Sequence, residues 1–186
     1  MKAGVWAQGE DQGYLSPSPL PILPHSHAFP KNVSRYLTAF VTVTLIVALD
    51  MITKHLVVQN LALYEVIPVI PNVLNITYHK NPGAAFGILA ELPFNYYFFS
   101  TISVLAFVIL VLAFLYASKE RKTVQIALPF LMGGTLGNLI DRIRLGAVID
   151  FIDVHWYQYH WPAFNVADSA ICIGVALLII EMLRKE

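Results

Sequence analysis

The sequence predicts an all-α membrane protein, with four transmembrane helices and a small extracytoplasmic β cradle. Three observations carry this. Hydrophobic residues make up 57% of the 186 positions against 13% charged, and the mean hydropathy is +0.63, too apolar for an ordinary soluble domain of this length. Four apolar runs are long enough, at ~1.5 Å per residue, to cross ~30 Å of hydrocarbon. Residues 59–93 break that texture with four prolines and a stretch of alternating residues. A net charge of zero and the lack of a basic stripe exclude nucleic acid as a partner. The single cysteine, Cys172, lies in an apolar run, forms no intrachain disulfide and reads as a small buried hydrophobe.

Residues 1–34 hold five of the eleven prolines, Pro17, Pro19, Pro21, Pro24 and Pro30, and no apolar run long enough for a signal-peptide core. A disordered N-terminal extension is expected there, with His25 and His27 solvated rather than ligating. The membrane domain follows over 35–186. Its first span, about 36–58, opens with fourteen uncharged residues and ends in Asp50, Lys54 and His55. Asp50 and Lys54 stand four apart on one helix face, the carboxylate N-terminal to the ammonium, a favourable order. A plain surface ion pair and a positioning role at the membrane surface are both open. In the cradle, residues 59–93, Pro68, Pro71, Pro82 and Pro93 punctuate β-branched runs, and residues 74–79 alternate apolar with polar, which predicts strand rather than helix. The cradle ends in Asn81-Pro82-Gly83-Ala84-Ala85-Phe86-Gly87. This is either a plain turn or a place where small residues admit another backbone while Asn81 offers donor and acceptor.

The second span, about 94–117, has 24 residues without a charge and reads as scaffold. After a basic loop of Lys119, Glu120, Arg121 and Lys122, the third span, about 123–142, opens apolar and turns small and polar. Gly133, Gly134 and Gly137 permit close helix contact, and Asn138, Asp141 and Arg142 share a face at its end. There an Asp141–Arg142 ion pair anchoring the helix at the interface is one reading. The fourth span, about 162–183, has Pro162 suited to its first helical position and Asn165 and Asp168 facing one way, three residues apart. Trp156, Tyr157, Tyr159 and Trp161 precede it as an interfacial aromatic belt. Asp150, flanked by Ile149 and Phe151, and Asp168 are carboxylates near membrane depth. Such a group costs about 2.5–3.5 kcal/mol at a helix centre, so its default reading is functional.

Eight Lys and Arg residues, at 2, 31, 35, 119, 121, 122, 184 and 185, fall on one side of a four-span arrangement and four, Lys54, Lys80, Arg142 and Arg144, on the other. The positive-inside rule puts both termini in the cytoplasm, and hence the cradle, Asp150 and Asp168 at the outer leaflet. The other unusual polar residues, Asp50, Lys54, Asn81, Asn138, Asp141, Arg142 and Asn165, share that face. Two carboxylates held close keep one proton between them and so supply a general base and a general acid at once, as peptide hydrolysis by water requires. No Ser-His-Asp set is discernible. Asp153, His155 and His160 lie in an aromatic loop without zinc-type spacing, so no metal and no cofactor is expected. A proton-coupled transporter would use Asp50, Asp141, Asp150 and Asp168 as a relay, yet none of these lies in the cytoplasmic half. A non-catalytic scaffold would use the polar residues as helix glue.

Five short motifs, in order, closely resemble those of the lipoprotein signal peptidases, or signal peptidase II. They are Asp50-Met51-Ile52-Thr53-Lys54, the Asn81-to-Gly87 block, Gly133-Gly134-Thr135-Leu136-Gly137-Asn138-Leu139-Ile140-Asp141-Arg142, Val148-Ile149-Asp150-Phe151, and Phe164-Asn165-Val166-Ala167-Asp168-Ser169. The resemblance spans roughly residues 36–184 and leaves out the first 34. It implies an intramembrane aspartic endopeptidase of the bacterial cytoplasmic (inner) membrane. Such an enzyme removes the signal peptide from diacylglyceryl-modified prolipoproteins immediately before the lipid-modified cysteine. It also implies Asp150 and Asp168 as the catalytic pair, a substrate site lined by Asn81, with Gly83 beside it, Asn138, Asp141, Arg142 and Asn165, support from Asp50 and Lys54, and inhibition by globomycin. Substrate and membrane lipid are the expected partners. A monomer is expected, since the Gly133/Gly137 face can be used within the bundle.

Overall fold

The structure, a computed structural model, describes residues 31–83 and 95–184. Four helices carry the fold: α1 (Lys31–Asn60), α2 (Asn95–Tyr116), α3 (Lys122–Leu145) and α4 (Val166–Leu183). Each is long and apolar enough to cross a membrane. At one end of the bundle lies one antiparallel sheet of β1 (Val66–Ile70), β2 (Leu74–Asn81), β3 (Val148–Trp156) and β4 (Tyr159–His160), in the order β1-β2-β3-β4. The expected fold class holds: four membrane-length helices with a small sheet.

The centre of the bundle is α3, half of whose most apolar stretch is buried against 11–17% for the other three helices. Its small residues explain why. Gly133 lies against Ile46 of α1, Gly134 against the Ala167 carbonyl and Ile171 of α4, and Gly137 against the Asp50 carboxylate and Ala167. Gly174 of α4 in turn receives Leu131. In hydrocarbon, where there is little hydrophobic drive between helices, such close backbone approach supplies the packing energy. The Gly133/Gly137 face is thus used inside the bundle. Toward the termini-bearing end, Ala39, Phe114, Leu128 and Leu131 form a buried cluster. Here the Arg35 guanidinium lies 4.5 Å from the centre of the Phe114 ring and donates to the Phe114 carbonyl.

At the other end, α3 stops where Gly146 adopts φ 72° and returns its N–H to the Arg142 carbonyl, a left-handed conformation that glycine alone takes without strain. The chain turns straight into β3, which pairs with β2 in a register that sets Asp150 opposite His79 and Val148 opposite Asn81. Val57, Tyr78, Ile149 and Phe151 seal α1 to the sheet. The exposed edge strand β1 carries Pro68, as edges tolerate.

Several local expectations are corrected. Asp150 lies on a strand rather than in an interhelical loop: β3 is buried on both faces for its first four residues, so it shows no alternation to read. The aromatic belt is the β3–β4 hairpin, on which Trp156, Tyr157, Tyr159 and Trp161 are all exposed. Pro162 is not at a helix start. It belongs to an extended segment in which Phe164 exchanges backbone hydrogen bonds with Ile152 at 2.8 and 3.0 Å, and α4 begins at Val166. α1 begins at Lys31 and α3 runs on to Leu145. Cys172 is exposed on the outer face of α4 rather than buried. The extension before Lys31 and the Ala84-Ala85-Phe86-Gly87 part of the motif lie outside the described residues.

A Cβ at Gly134 would collide with the Ala167 carbonyl, so Gly134→Val should destabilise the protein by about 1–3 kcal/mol, the usual cost of overpacking. Ala48→Leu, on the exposed side of α1, should be nearly neutral. Thermal unfolding in detergent micelles distinguishes the two.

Candidate active site

Six polar side chains that a bilayer would ordinarily exclude are buried together at the sheet end of the bundle: Asp50, Lys54, Asn138, Asp141, Asp150 and Asn165, none more than 5% exposed. Lys54 of α1 is the hub. Its Nζ lies 2.7 Å from Asp50 Oδ2 and 2.8 Å from Asp141 Oδ2, and donates to Asn138 Oδ1 at 3.3 Å. An ammonium has three donors, and each has a partner. Both carboxylates then hold backbone. Asp50 Oδ1 accepts the Ala167 N–H at 2.9 Å, and Asp141 Oδ2 accepts the Ile149 N–H at 3.2 Å. These amides belong to the residues immediately before Asp168 and Asp150.

Asp168 sits in the first turn of α4, where Asn165 caps the helix and the two close a capping box. Asn165 Oδ1 accepts the Asp168 N–H at 2.9 Å, while Asp168 Oδ2 accepts the Asn165 N–H at 3.1 Å. The positive end of a helix is a favourable place for a carboxylate. The other oxygen, Oδ1, accepts from Asn138 Nδ2 at 2.7 Å. Asp150, near the start of β3, is held from two sides. Asn165 Nδ2 donates to Oδ1 at 2.8 Å and Asn81 Nδ2 to Oδ2 at 3.0 Å. Asn81 is oriented by the Gly83 N–H, which donates to its Oδ1 at 2.9 Å. Gly83 has φ 107°, and the ring of Phe99 occupies the space of a Cβ there, so glycine is required twice over. Asn165 is therefore one hydrogen bond from each of Asp150 and Asp168.

Burial pushes the Asp150 carboxyl up to about 7, the Asp168 charge adding to it and the hydrogen bonds from Asn81 and Asn165 opposing it. Arg142, whose guanidinium is attracted by the charges of Asp168, Asp150 and Asp141, donates through Nη1 to Ser103 Oγ of α2 at 3.1 Å. Ser103 in turn donates to the Phe99 carbonyl at 2.8 Å. Among the described residues no group of three or more His, Cys, Asp or Glu side chains is placed to hold a metal ion.

The sequence profile of the Signal peptidase (SPase) II family matches residues 42–184. The chain belongs to that family. It is 49% identical over 141 residues to the lipoprotein signal peptidase of Syntrophotalea carbinolica, covering 76% of this chain and 88% of that one. It is 50% identical over 138 residues to that of Geobacter sulfurreducens, covering 74% and 86%. Two solved structures described as bacterial membrane enzymes, obtained by the in meso method at 2.3 and 1.9 Å resolution, share 38% identity with it. Their TM-scores are 0.71 and 0.73, over 79% of this chain and 88% of the first and 80% of this chain and 94% of the second. The family read from the five motifs is the family found, and signal peptidase II membership makes the chain a membrane-embedded protease.

The structure brings together Asp50, Lys54, Asn81, Gly83, Asn138, Asp141, Asp150, Asn165 and Asp168, with Arg142 beside them. Two pairings differ from expectation. The Asp50–Lys54 pair is fully buried rather than at the membrane surface, and Asp141 pairs with Lys54 rather than with Arg142. Asp153 stands apart. Burial pushes its carboxyl up, but hydrogen bonds from His160 and Asn75 outweigh this and hold it below the usual carboxylate range, with both contacts at 2.8 Å. It staples the sheet. Ser103 is the contributor that sequence reading missed, since its hydroxyl follows those of Ser100 and Thr101 in the same helix and nothing local sets it apart.

Removing one partner of a buried ion cluster strands the others, at about 3–5 kcal/mol. Lys54→Met should therefore unfold at markedly lower temperature than the wild type, and adding Asp50→Asn and Asp141→Asn should recover much of the loss. Melting curves of the single and triple variants check this.

Proposed function

We propose that the chain is an aspartic endopeptidase that cleaves the signal peptide of diacylglyceryl-modified prolipoproteins immediately before the lipid-modified cysteine. Asp150 and Asp168 act as its catalytic pair. The observation that carries this reading is the bridge through Asn165, one side chain bonded to both carboxylate-bearing residues, which keeps the two acids in register on a strand and a helix. The names of the relatives, lipoprotein signal peptidases, support the substrate class.

In the mechanism, Asp168 takes a proton from water as the oxygen attacks the scissile carbonyl, and protonated Asp150 gives its proton to the carbonyl oxygen. Collapse of the resulting diol, with a proton passed to the leaving nitrogen, releases the peptide. Arg142, Asn81, Asn138 and Asn165 line the substrate's path, and Asp50, Lys54 and Asp141 hold the frame. With both termini cytoplasmic in the inner membrane, the pair lies at the outer leaflet, where a lipid-anchored substrate arrives by lateral diffusion. The chain acts as a monomer without metal or cofactor, and globomycin inhibits it.

Cleavage of a diacylglyceryl prolipopeptide, followed by gel shift, tests the assignment. Asp150→Asn and Asp168→Asn should each lower the rate by roughly 10²–10⁴-fold, the scale of a lost general acid or base. Processing at the wild-type rate by either variant sinks the reading, and proton flux into liposomes lost in the same variants would favour a transporter.

The pH dependence has a definite sign. Asp150 holds its proton up to about 7 in the folded protein against an ordinary value of 3.8, so kcat/KM should decline as pH rises through about 7. Over the interval between those values the folded state binds a proton that the unfolded chain has released, so stability falls with rising pH and levels off above it. Asp150→Asn should flatten that slope in a pH series of melting curves.

A further inference from the structure

Behind the buried cluster, between the outer ends of α1 and α3, lies a cavity of about 110 Å³ whose floor is Lys54 and Asp141 and which neither Asp150 nor Asp168 lines. It shares Met51, His55 and Arg144 with a shallower groove of about 330 Å³ that runs over Ile52 and Leu56. The walls are apolar and the rim is basic. Arg144 and His55 are both exposed, and neither has a hydrogen-bond or ion-pair partner among the described residues.

The position of Arg144 distinguishes it from a routine anchor. Arg142 and Arg144 stand two apart on α3, hence on opposite sides of the helix. Arg142 turns inward to Ser103, whereas Arg144 stands over a trough that leads down α1, where Ile52 and Leu56 are 57% and 52% exposed. A guanidinium matches the two unesterified oxygens of a phosphodiester with paired donors, and an imidazole beside it adds another. The exposed Ile52, nearly one turn of α1 toward the membrane centre from His55 and Leu56, suits an acyl chain that starts at the level of Leu56. Charge above and hydrocarbon below are the two halves of one amphiphile.

We infer that this groove binds a glycerophospholipid of the surrounding bilayer, its phosphate held by Arg144 and His55 and one acyl chain lying over Ile52 and Leu56. The site is separate from the proposed peptidase pair and does not depend on that reading. A lipid seated there packs against the far side of the Lys54–Asp141 pair and shields it from water.

Native mass spectrometry of the full chain, released from detergent with dioleoyl phosphatidylglycerol or with dioleoylglycerol, tests the inference. One phosphatidylglycerol should be retained per chain, and dioleoylglycerol, with the same chains and no phosphate, about tenfold less, the factor carried by one charge-assisted hydrogen bond. Arg144→Gln with His55→Gln should lower phosphatidylglycerol retention by a similar factor. Leu56→Trp, which fills the groove and leaves both charges in place, should lower it independently. Equal retention of the two lipids, unchanged retention in both variants, or a lipid-free dimer in place of the lipid-bound chain would overturn it.

Discussion

The ammonium of Lys54 is the constraint on which the site depends. It is 2% exposed at the end of a membrane helix, a position that only opposite charge on every side makes tolerable. Three acceptors surround it, from α1 itself and from two successive turns of α3, Asn138 and Asp141. This fixes α1 against α3 with the angular precision of three bonds to one nitrogen. The two carboxylates that neutralise it then reach out to the amides of Ile149 and Ala167. A single buried cation thereby sets the backbone positions just ahead of both Asp150 and Asp168. Packing glycines bring the helices close, and the charge cluster decides their register.

Asn165 extends that frame. As the cap of α4 it satisfies one of the N–H groups that a helix start leaves without a partner, and the same amide binds Asp150. Helix initiation and placement of the acids therefore share atoms. Any shift of α4 along its axis moves Asp168 relative to Asp150, and the Gly134 contact with the Ala167 carbonyl is what resists such a shift. Support of this kind, built on helices and a strand rather than on loops, holds side chains to the tolerances that catalysis demands.

Much of this was legible in the sequence because the relevant signals are local. Apolar run length gives the helices, Lys and Arg asymmetry gives an expected orientation, and residues three or four apart give the shared faces of Asp50 with Lys54 and of Asn165 with Asp168. What escaped were features set by partners distant in sequence. β3 is covered on both faces, so its residues show no period of two and resemble a loop beside a helix. Asp141 has Arg142 as its sequence neighbour, yet a helix turns consecutive residues about 100° apart, and its real partner lies 87 positions earlier in the chain. Ser103 carries no pattern at all, since its role exists only where Arg142 comes to rest against α2.

The two acids occupy unlike surroundings, one on a strand and one on a helix. Asp168 sits at a helix start, where backbone N–H groups and the helix dipole meet its charge, and it remains partly exposed. Asp150 sits on a strand covered on both faces, 3% exposed, where burial drives its carboxyl upward. In the proposed mechanism such unlike surroundings suit two carboxylates to different roles, the buried one keeping its proton, the division that general acid–base chemistry needs. On the proposed reading the packing around β3 contributes more than a scaffold. Its cover by protein, with Ile149 and Phe151 packed against Val57 and Tyr78, maintains the difference between the two sites, so the place where β3 meets the start of α4 becomes part of the chemistry.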